Sequence, residues 1–389
     1  MAHGVVVTGL GMVSSLGCDV ITSCAAARGG ITRITEMKFS ALDEGSGEMV
    51  PVKGHVIKGI VEGFEGLGRL IRLGAIALRD LLEYSNLHEE HLLNTAIFLH
   101  LSDNYYDDQY FKREHEEMLA NSSFGVEDTQ LLNQEFNEEK ERSQAEIQSH
   151  LISRILEQNH ISISSRSHYY SFGGDARFVE ALIQAMGLLQ KGMVERCIVG
   201  GIDSLVEDQS IERLYKLGLI HSVDNAEGFF PGEGAAFILL EKFDAARSRK
   251  AAMESIIRSP AFANEPFHRL SDESPTGKAL YSAIAASYAG VEERSHDLRL
   301  VIGNLNGDSY RAQDYGNALL RMRAIGFPTD LQQWFPPFSF GETGAATGAM
   351  AICFGVRGLV RGYATSRDIL VWLSSDDGNK SALILSAVT

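Results

Sequence analysis

Two residues three positions apart, His168 and Ser171, could carry out nucleophilic chemistry. A serine hydroxyl becomes a nucleophile when a neighbouring imidazole accepts its proton. Residues at this spacing on a loop can meet, although no carboxylate that would orient the imidazole is identifiable nearby. The pair is therefore one candidate site, with Ser171 as nucleophile and His168 as base.

Sequence signals for metals and cofactors are weak. The cysteines at positions 18, 24, 197 and 353 form no C-x-x-C pair and lack zinc-site spacing. Gly9 and Gly11 begin like a dinucleotide fingerprint, but the next glycine falls at position 17 and the required acidic residue is not placed. There is no P-loop and no H-E-x-x-H motif. The sequence therefore predicts neither a cofactor nor a metal site.

Composition narrows the class of protein. The 389 residues are 44% hydrophobic and 22% charged, which is ordinary for a soluble globular chain. A net charge of -16 disfavours a surface for nucleic acid or for an anionic membrane. No apolar run approaches the roughly 18 residues that span a bilayer, and the N-terminus lacks the basic region of a signal peptide. We therefore expect a cytoplasmic protein, in a compartment that keeps its cysteines reduced.

Alternating strands and helices must position the candidate residues. Apolar runs predict strands at 4–10, 95–101, 196–201, 235–240, 298–302, 369–373 and 382–385. Helical spacing predicts helices at 67–82 and 178–192, and small residues predict another at 343–356. The strands lack polar alternation, so both of their faces are buried and the class is α/β, with helices covering the sheets.

Residues 103–150 differ from the rest of the chain. They are rich in charge and poor in β-branched residues, which predicts exposed helix and loop stabilised by charge pairs four residues apart. A solvated insertion explains this composition, and so does a lid or a partner-binding element.

Glycine-rich segments recur in a fixed order along the chain. They are VVVTGLGMVSSLG at 5–17, RCIVGGIDSL at 196–205, GFFPGEGAAFILLE at 228–241, GETGAATGAM at 341–350 and, more weakly, GNLNGDSYRAQD at 303–314. Together they resemble the β-ketoacyl-acyl carrier protein synthases (3-oxoacyl-ACP synthases) of the thiolase-like superfamily. Only the acidic region 103–150 falls outside the resemblance.

The resemblance implies a duplicated αβαβα five-layer sandwich. Residues 1–250 would form the first thiolase-like half, including the insertion at about 103–150, and residues 251–389 the second. It also implies a homodimer, or a heterodimer with an active synthase, paired across a two-fold axis by the strand after Arg196. Acyl carrier protein or an acyl thioester would be the further partner.

The positions that correspond to the family's catalytic Cys-His-His residues hold other residue types in this sequence. In the family, the nucleophilic cysteine lies seventeen positions before the glycine that ends its helix. Counted back from Gly192, the corresponding position in this sequence is Asp175. Asn306 occupies the position of the first histidine and Glu342 that of the second. These residues also have purely structural interpretations. Asp175 suits the N-cap position of a helix, and Asn306 suits a simple turn. Glu342 suits the position of a negative charge at a helix N-terminus. The family's Phe-Gly-rich loop is replaced by SSDDGN at 374–379.

Three functions remain open on this sequence. An acyltransferase-like protein without its cysteine would not condense acyl chains by the usual mechanism, but it could decarboxylate a malonyl thioester if Asn306 stabilised the oxyanion. The second is a non-catalytic partner of an active synthase, like the family's chain-length factors. The third is a scaffold or binding protein that uses the thiolase fold. Any surviving site requires Asp175, Asn306 and Glu342 to converge between the two halves.

Overall fold

The computed structural model describes residues 5–43, 45–120, 126–271, 273–290, 298–328 and 330–388. Its strands are β1 (Val5–Val13), β2 (Thr35–Leu42), β3 (Met49–Gly54), β4 (Thr95–Leu101), β5 (His168–Phe172), β6 (Arg196–Ser204), β7 (Glu233–Lys242), β8 (Ser255–Asn264), β9 (Leu298–Gly303), β10 (Gln332–Trp334), β11 (Asp368–Ser374) and β12 (Asn379–Ala387). Its helices are α1 (Val20–Arg28), α2 (Gly66–Ser85), α3 (Glu89–Leu92), α4 (Tyr105–Ala120), α5 (Val126–Gln158), α6 (Phe178–Lys191), α7 (Asp208–Lys216), α8 (Phe243–Ser248), α9 (Lys278–Ala289), α10 (Ser309–Ala324), α11 (Pro337–Phe340) and α12 (Thr347–Val360).

The main sheet is built from two sets of five strands with the same topology. Its order is β10-β9-β11-β12-β8-β1-β7-β6-β4-β5. In the N-terminal set β5, β4 and β6 are parallel while β7 and β1 are antiparallel; β10, β9, β11, β12 and β8 repeat this pattern. Antiparallel pairing of β1 with β8 joins the sets. The repeated order supports the proposed division of the chain near residue 250.

Helices fill the layers on both sides of each set of strands. The central helices α6 and α12 share one hydrophobic core with strands of both sets. Helices α2 and α5 cover the outer face of the N-terminal set, and α9 and α10 cover that of the C-terminal set. Residues 347–358 of α12 are all buried, because this helix has sheet strands on both sides. The predicted α/β class with an αβαβα order of layers is confirmed.

All seven predicted strands occur, six of them with shifted ends. Strand β1 continues to Val13, three residues beyond the predicted end at Leu10. Helix α6 ends as predicted, because Gly192 caps it in the left-handed conformation at φ 73°. The hairpin β2–β3 and strands β5, β8 and β10 were not predicted. Strand β5 escaped because its five residues are half-buried at a sheet edge and form no apolar run.

One expected pairing surface is wrong. The strand after Arg196 is β6, which lies inside the sheet between β4 and β7, so both of its edges are already paired. The edges of the sheet are β5 and β10.

The acidic segment forms two helices, α4 and α5, as predicted. It is less separate from the core than its composition suggests, because Leu151, Ile152 and Ile155 near the end of α5 are fully buried against α2. Within the described residues, no helix is both long enough and apolar enough to cross a membrane.

A buried ion cluster at the candidate active site

Asp175 lies directly after strand β5 and a two-glycine turn. It is buried and begins a 3-10 turn, Asp175–Arg177, that leads into α6. The expectation that Asp175 caps a helix is wrong. Gly174 holds the N-cap position, and the Asp175 Oδ2 atom instead accepts hydrogen bonds from Asn304 Nδ2 at 2.6 Å and Arg311 Nη1 at 3.1 Å.

Arg311 occupies the centre of the site. It lies in the first turn of α10 and is 1% exposed. Its Nη1 atom donates to Glu342 Oε2 at 2.7 Å as well as to Asp175, and its Nε atom donates to Asp376 Oδ1 at 3.0 Å. One guanidinium therefore faces three buried carboxylates, which we call the Arg311 cluster.

Two asparagines complete the hydrogen bonding of the cluster. Asn306 Nδ2 donates to Glu342 Oε2 at 2.6 Å, and Asn306 Oδ1 accepts from the Asp308 N–H at 3.1 Å in the same turn. Asn304 binds Asp175 through Nδ2 and accepts from the Ser374 N–H through Oδ1 at 2.9 Å. Asn306 therefore lies in a turn, as predicted, and its amide donates to a carboxylate of the cluster.

Glu342 is fixed through both its backbone and its side chain. Its N–H donates to the Phe230 carbonyl and its carbonyl accepts from the Gly232 N–H, both at 2.8 Å. Glu342 Oε1 also accepts from the Gly344 N–H at 3.1 Å. The predicted charge at a helix N-terminus is present, but it serves the 3-10 turn Gly344–Ala346 that precedes α12.

The topology explains why residues so distant in sequence meet. Asn304 follows β9 and Asp376 follows β11, while Asp175 follows β5. These strands are parallel to their neighbours within their own sets, and the carboxyl ends of parallel strands are where side chains converge. The structure thus brings Asp175, Asn306 and Glu342 together. The sequence analysis missed Arg311, although it lies five positions after Asn306 in the fifth glycine-rich segment.

Burial and charge determine the protonation of the cluster. Burial opposes the charged form of Arg311, but the carboxylates of Glu342, Asp376 and Asp175 outweigh it and hold the pKa of the guanidinium well above its ordinary value. Burial, together with the negative charge of Glu342, raises the pKa of Asp175 well above its ordinary value. The cluster therefore favours a protonated Asp175 beside a charged Arg311.

Replacing Asp175 with asparagine should raise the free energy of unfolding at pH 8. Because the pKa of Asp175 is higher in the folded protein, the native state binds a proton that the unfolded chain releases above pH about 4, so ionisation opposes folding as pH rises. The gain in Asp175→Asn should shrink as the pH falls toward 4. Urea unfolding of both proteins between pH 4 and 8 measures it. Asp43→Asn is the control, since Ser46 and backbone N–H groups lower the pKa of the exposed Asp43. A less stable Asp175→Asn at pH 8 would contradict the assignment.

The start of α4 covers the cluster. Tyr106 Oη donates to Asp376 Oδ2 at 3.0 Å, and the neighbouring Tyr105 hydroxyl lies 3.0 Å from His268 Nδ1. Burial and the Asp376 charge raise the pKa of Tyr106 well above its ordinary value, so its hydroxyl remains a donor. The start of the acidic segment thus closes over the Arg311 cluster.

The predicted Ser171–His168 pair does not form. These residues are three apart on strand β5, so their side chains point to opposite faces of the sheet. His168 Nε2 lies 3.0 Å from the Ile163 carbonyl, and Ser171 Oγ is instead 3.1 Å from Nδ1 of the buried His100. Burial lowers the pKa of His100 to about 4, which makes it a weak proton acceptor. The thiols of Cys24, Cys197 and Cys353 are buried, and Cys18 is exposed.

Comparisons with known proteins agree with this architecture. Residues 179–246 match the sequence model of the N-terminal domain of β-ketoacyl synthases. The tetracenomycin polyketide synthase ketoacyl synthase alpha subunit of Streptomyces glaucescens is 30% identical over 102 residues, which are 26% of this chain and 23% of that protein. That match therefore spans about a quarter of each protein.

Solved structures show the same fold over the whole chain. A ketosynthase/chain length factor of ishigamide biosynthesis matches with a TM-score of 0.73 and 15% identity, covering 100% of both chains. A type II polyketide synthase acyl-carrier protein in complex with its ketosynthase matches at 0.72 and 15%, again over 100% of both chains. The ketosynthase from module 6 of the Bacillus subtilis bacillaene synthase matches at 0.71 and 13%, covering 99% of this chain and 72% of that one.

The fold is therefore that of the thiolase-like ketosynthases. In sequence, the chain is similar to the β-ketoacyl synthases over residues 179–246.

Proposed function

We propose that this chain is a non-catalytic, chain-length-factor-like subunit that pairs with an active ketosynthase. The observation that carries the proposal is the Arg311 cluster. It joins a buried guanidinium to three carboxylates, of which Asp175 and Glu342 lie at the positions that the resemblance assigns to the family's catalytic cysteine and second histidine. Such a cluster has the chemistry of a structural lock, because removing its single cation, Arg311, would leave negative charge buried without compensation.

The cluster argues against a Cys-independent decarboxylase. Loss of CO2 from a malonyl thioester needs donors directed at the oxyanion that develops. The Asn306 amide is instead committed to Glu342 at 2.6 Å, and that carboxylate would repel a second negative charge. Tyr106 covers the site from the side of the insertion.

The free edge of β5 supports pairing with a second ketosynthase-like chain. Strand β5 ends the sheet, so one row of its backbone groups faces outward. An edge of this kind is completed by a strand from another chain. Of the solved relatives, one is itself a ketosynthase/chain length factor and another a ketosynthase complex with its acyl-carrier protein, which supports a synthase and a carrier protein as partners.

Mass spectrometry of the purified protein with malonyl and acyl thioesters tests the proposal. We expect no loss of CO2, no condensed product and no mass gained by the protein, with thioesters of either coenzyme A or acyl carrier protein. Release of CO2 that falls in Asn306→Ala would identify a decarboxylase instead. An acyl adduct on the protein would identify a nucleophile, and Ser171 would be the first residue to replace.

The pairing is tested separately by sedimentation. The chain and a Cys-containing ketosynthase of the same organism are measured alone and mixed at micromolar concentration. We expect a mixed dimer. Two independent species in the mixture, together with a silent thioester assay, would replace the partner function with that of a scaffold on the thiolase fold.

A further inference from the structure

The α4–α5 hairpin carries more than half of the chain's net negative charge. Residues 103–158 contain 14 acidic and five basic side chains, a net charge of -9 within the chain's -16. Glu135, Glu139 and Glu141 on α5 are exposed. No ion-pair or hydrogen-bond partner of these three lies in the part of the chain that the structure describes. Their charge is therefore available to a partner.

A half-open cleft of about 390 Å³ lies within this acidic surface, between α4, α5 and α7. Its aromatic wall is the stacked pair Phe111 and Phe136, whose ring centroids are 4.3 Å apart. Tyr110 and the carboxylate of Glu139 also line it. Such a wall beside a carboxylate suits a long cationic side chain, whose stem packs on the rings while its head meets the charge. Lys140 of this chain already lies on the wall, with Nζ 5.6 Å from the centroid of the Phe136 ring.

The cations of the cleft are already paired. Lys140 Nζ is 2.5 Å from Asp108 Oδ1, and Arg213 Nη1 is 2.5 Å from Asp107 Oδ1. An anionic ligand would have to break these pairs. The lining itself carries two acidic side chains, Asp107 and Glu139, and two basic ones, Lys140 and Arg213. Because Asp108, outside the lining, pairs with Lys140, Glu139 is left with no such partner within the described residues, and its charge can meet a ligand.

A buried amide adds a second requirement. Asn104 lines the same cleft, and its Nδ2 atom is buried without a hydrogen-bond partner among the described residues. A buried donor of this kind needs an acceptor oxygen. A peptide backbone supplies a carbonyl, whereas a polyamine supplies only donors.

From these observations we propose that the α4–α5 hairpin is a docking surface for a basic protein segment, with the cleft as the pocket for one lysine or arginine side chain and Asn104 as donor to its backbone. This surface goes beyond the proposed function and does not depend on it, because the hairpin cleft is separate from the free edge of β5.

Fluorescence anisotropy of the full chain tests this surface at about 0.15 M salt. The probes are a short labelled peptide of lysine and leucine and its glutamate and leucine counterpart. We expect binding of the basic peptide alone. Replacing four acidic residues of the hairpin should weaken binding of the basic peptide by roughly tenfold or more. The replacements are Glu135→Gln, Glu138→Gln, Glu139→Gln and Glu141→Gln. The matched control neutralises four exposed acids elsewhere, Glu62, Glu65, Glu83 and Glu89, and should leave the affinity within about twofold.

Asn104→Asp separates a built pocket from general attraction between charges. It removes the amide donor while adding a negative charge, so a specific pocket binds the peptide more weakly and a diffuse acidic surface binds it more tightly. Three results would overturn the proposal. The first is tighter binding of the peptide by Asn104→Asp, and the second is an equal loss of affinity in the hairpin and control variants. The third is displacement of the peptide by spermine with the same affinity in Asn104→Asp as in the unchanged chain. Sedimentation of the hairpin variant with the ketosynthase reports the β5 pairing independently.

Discussion

Replacing Arg311 with methionine should lower the free energy of unfolding by about 3–5 kcal/mol, the usual effect of breaking a buried ion pair from one side. The variant leaves the carboxylates of Asp175, Glu342 and Asp376 buried without their shared cation. Methionine fills much of the volume, so the loss reports charge rather than a cavity. Urea unfolding followed by circular dichroism gives the value.

Arg213→Met is the matched control for this prediction. Arg213 also pairs with an aspartate, Asp107 at 2.5 Å, but its side chain is 38% exposed and that of Asp107 is 33% exposed. Exposed pairs contribute about 0–1 kcal/mol. If Arg311→Met cost no more than Arg213→Met, the cluster would not be the structural lock on which the proposed function rests. Combining Arg311→Met with Glu342→Gln should recover part of the loss, because it removes one uncompensated charge.

Replacing Gly201 with alanine should cost several kcal/mol and disturb the cluster. The new Cβ would lie 2.3 Å from the Ala345 carbonyl oxygen and 3.0 Å from Ala346 Cα, which are backbone atoms. The 3-10 turn cannot easily move away, because Asp203 Oδ2 accepts from the Ala345 N–H at 2.9 Å and Glu342 Oε1 from the Gly344 N–H at 3.1 Å. We expect a loss of about 3 kcal/mol or more, in the range of severe overpacking.

Gly187→Ala is the control for the glycine substitution. Gly187 lies within α6, and a Cβ there would meet nothing within 4 Å. Alanine in a helix should stabilise the protein by about 0.5–1 kcal/mol. Thermal unfolding of both variants tests the pair. A neutral Gly201→Ala would mean that the turn carrying Glu342 can shift, and the rigid placement of the cluster would then be wrong.

The periodic elements were accessible from sequence because each depends on local pattern. The apolar run at 95–101 is strand β4 with the same ends, and helical spacing with a terminal glycine located α6 within one residue. Strand β5 could not be predicted from such a pattern, because a strand at the edge of a sheet needs no apolar run. Its residues are half-buried, and its parallel pairing with β4 decides its conformation.

The candidate site was predictable in position but not in chemistry. Asp175, Asn306 and Glu342 converge, as the resemblance carried by the glycine-rich segments implied. Arg311 connects them. A lone arginine at the start of a helix normally indicates a solvated side chain, and no local pattern distinguishes one that is 1% exposed. Likewise, spacing paired Ser171 with His168, while strand geometry placed His100 beside it.

Sequence by itself determined the α/β class, the order of the glycine-rich segments and the absence of any cysteine between Cys24 and Cys197. Each of these depends on residue types within short stretches. Only the tertiary structure decided that Asp175 joins a buried ion cluster. Asp175 and Arg311 are 136 residues apart, and Tyr106 and Asp376 are 270 apart. They meet because the carboxyl ends of parallel strands from two halves of the chain face one centre, and burial there turns four ordinary surface-type residues into one charged cluster.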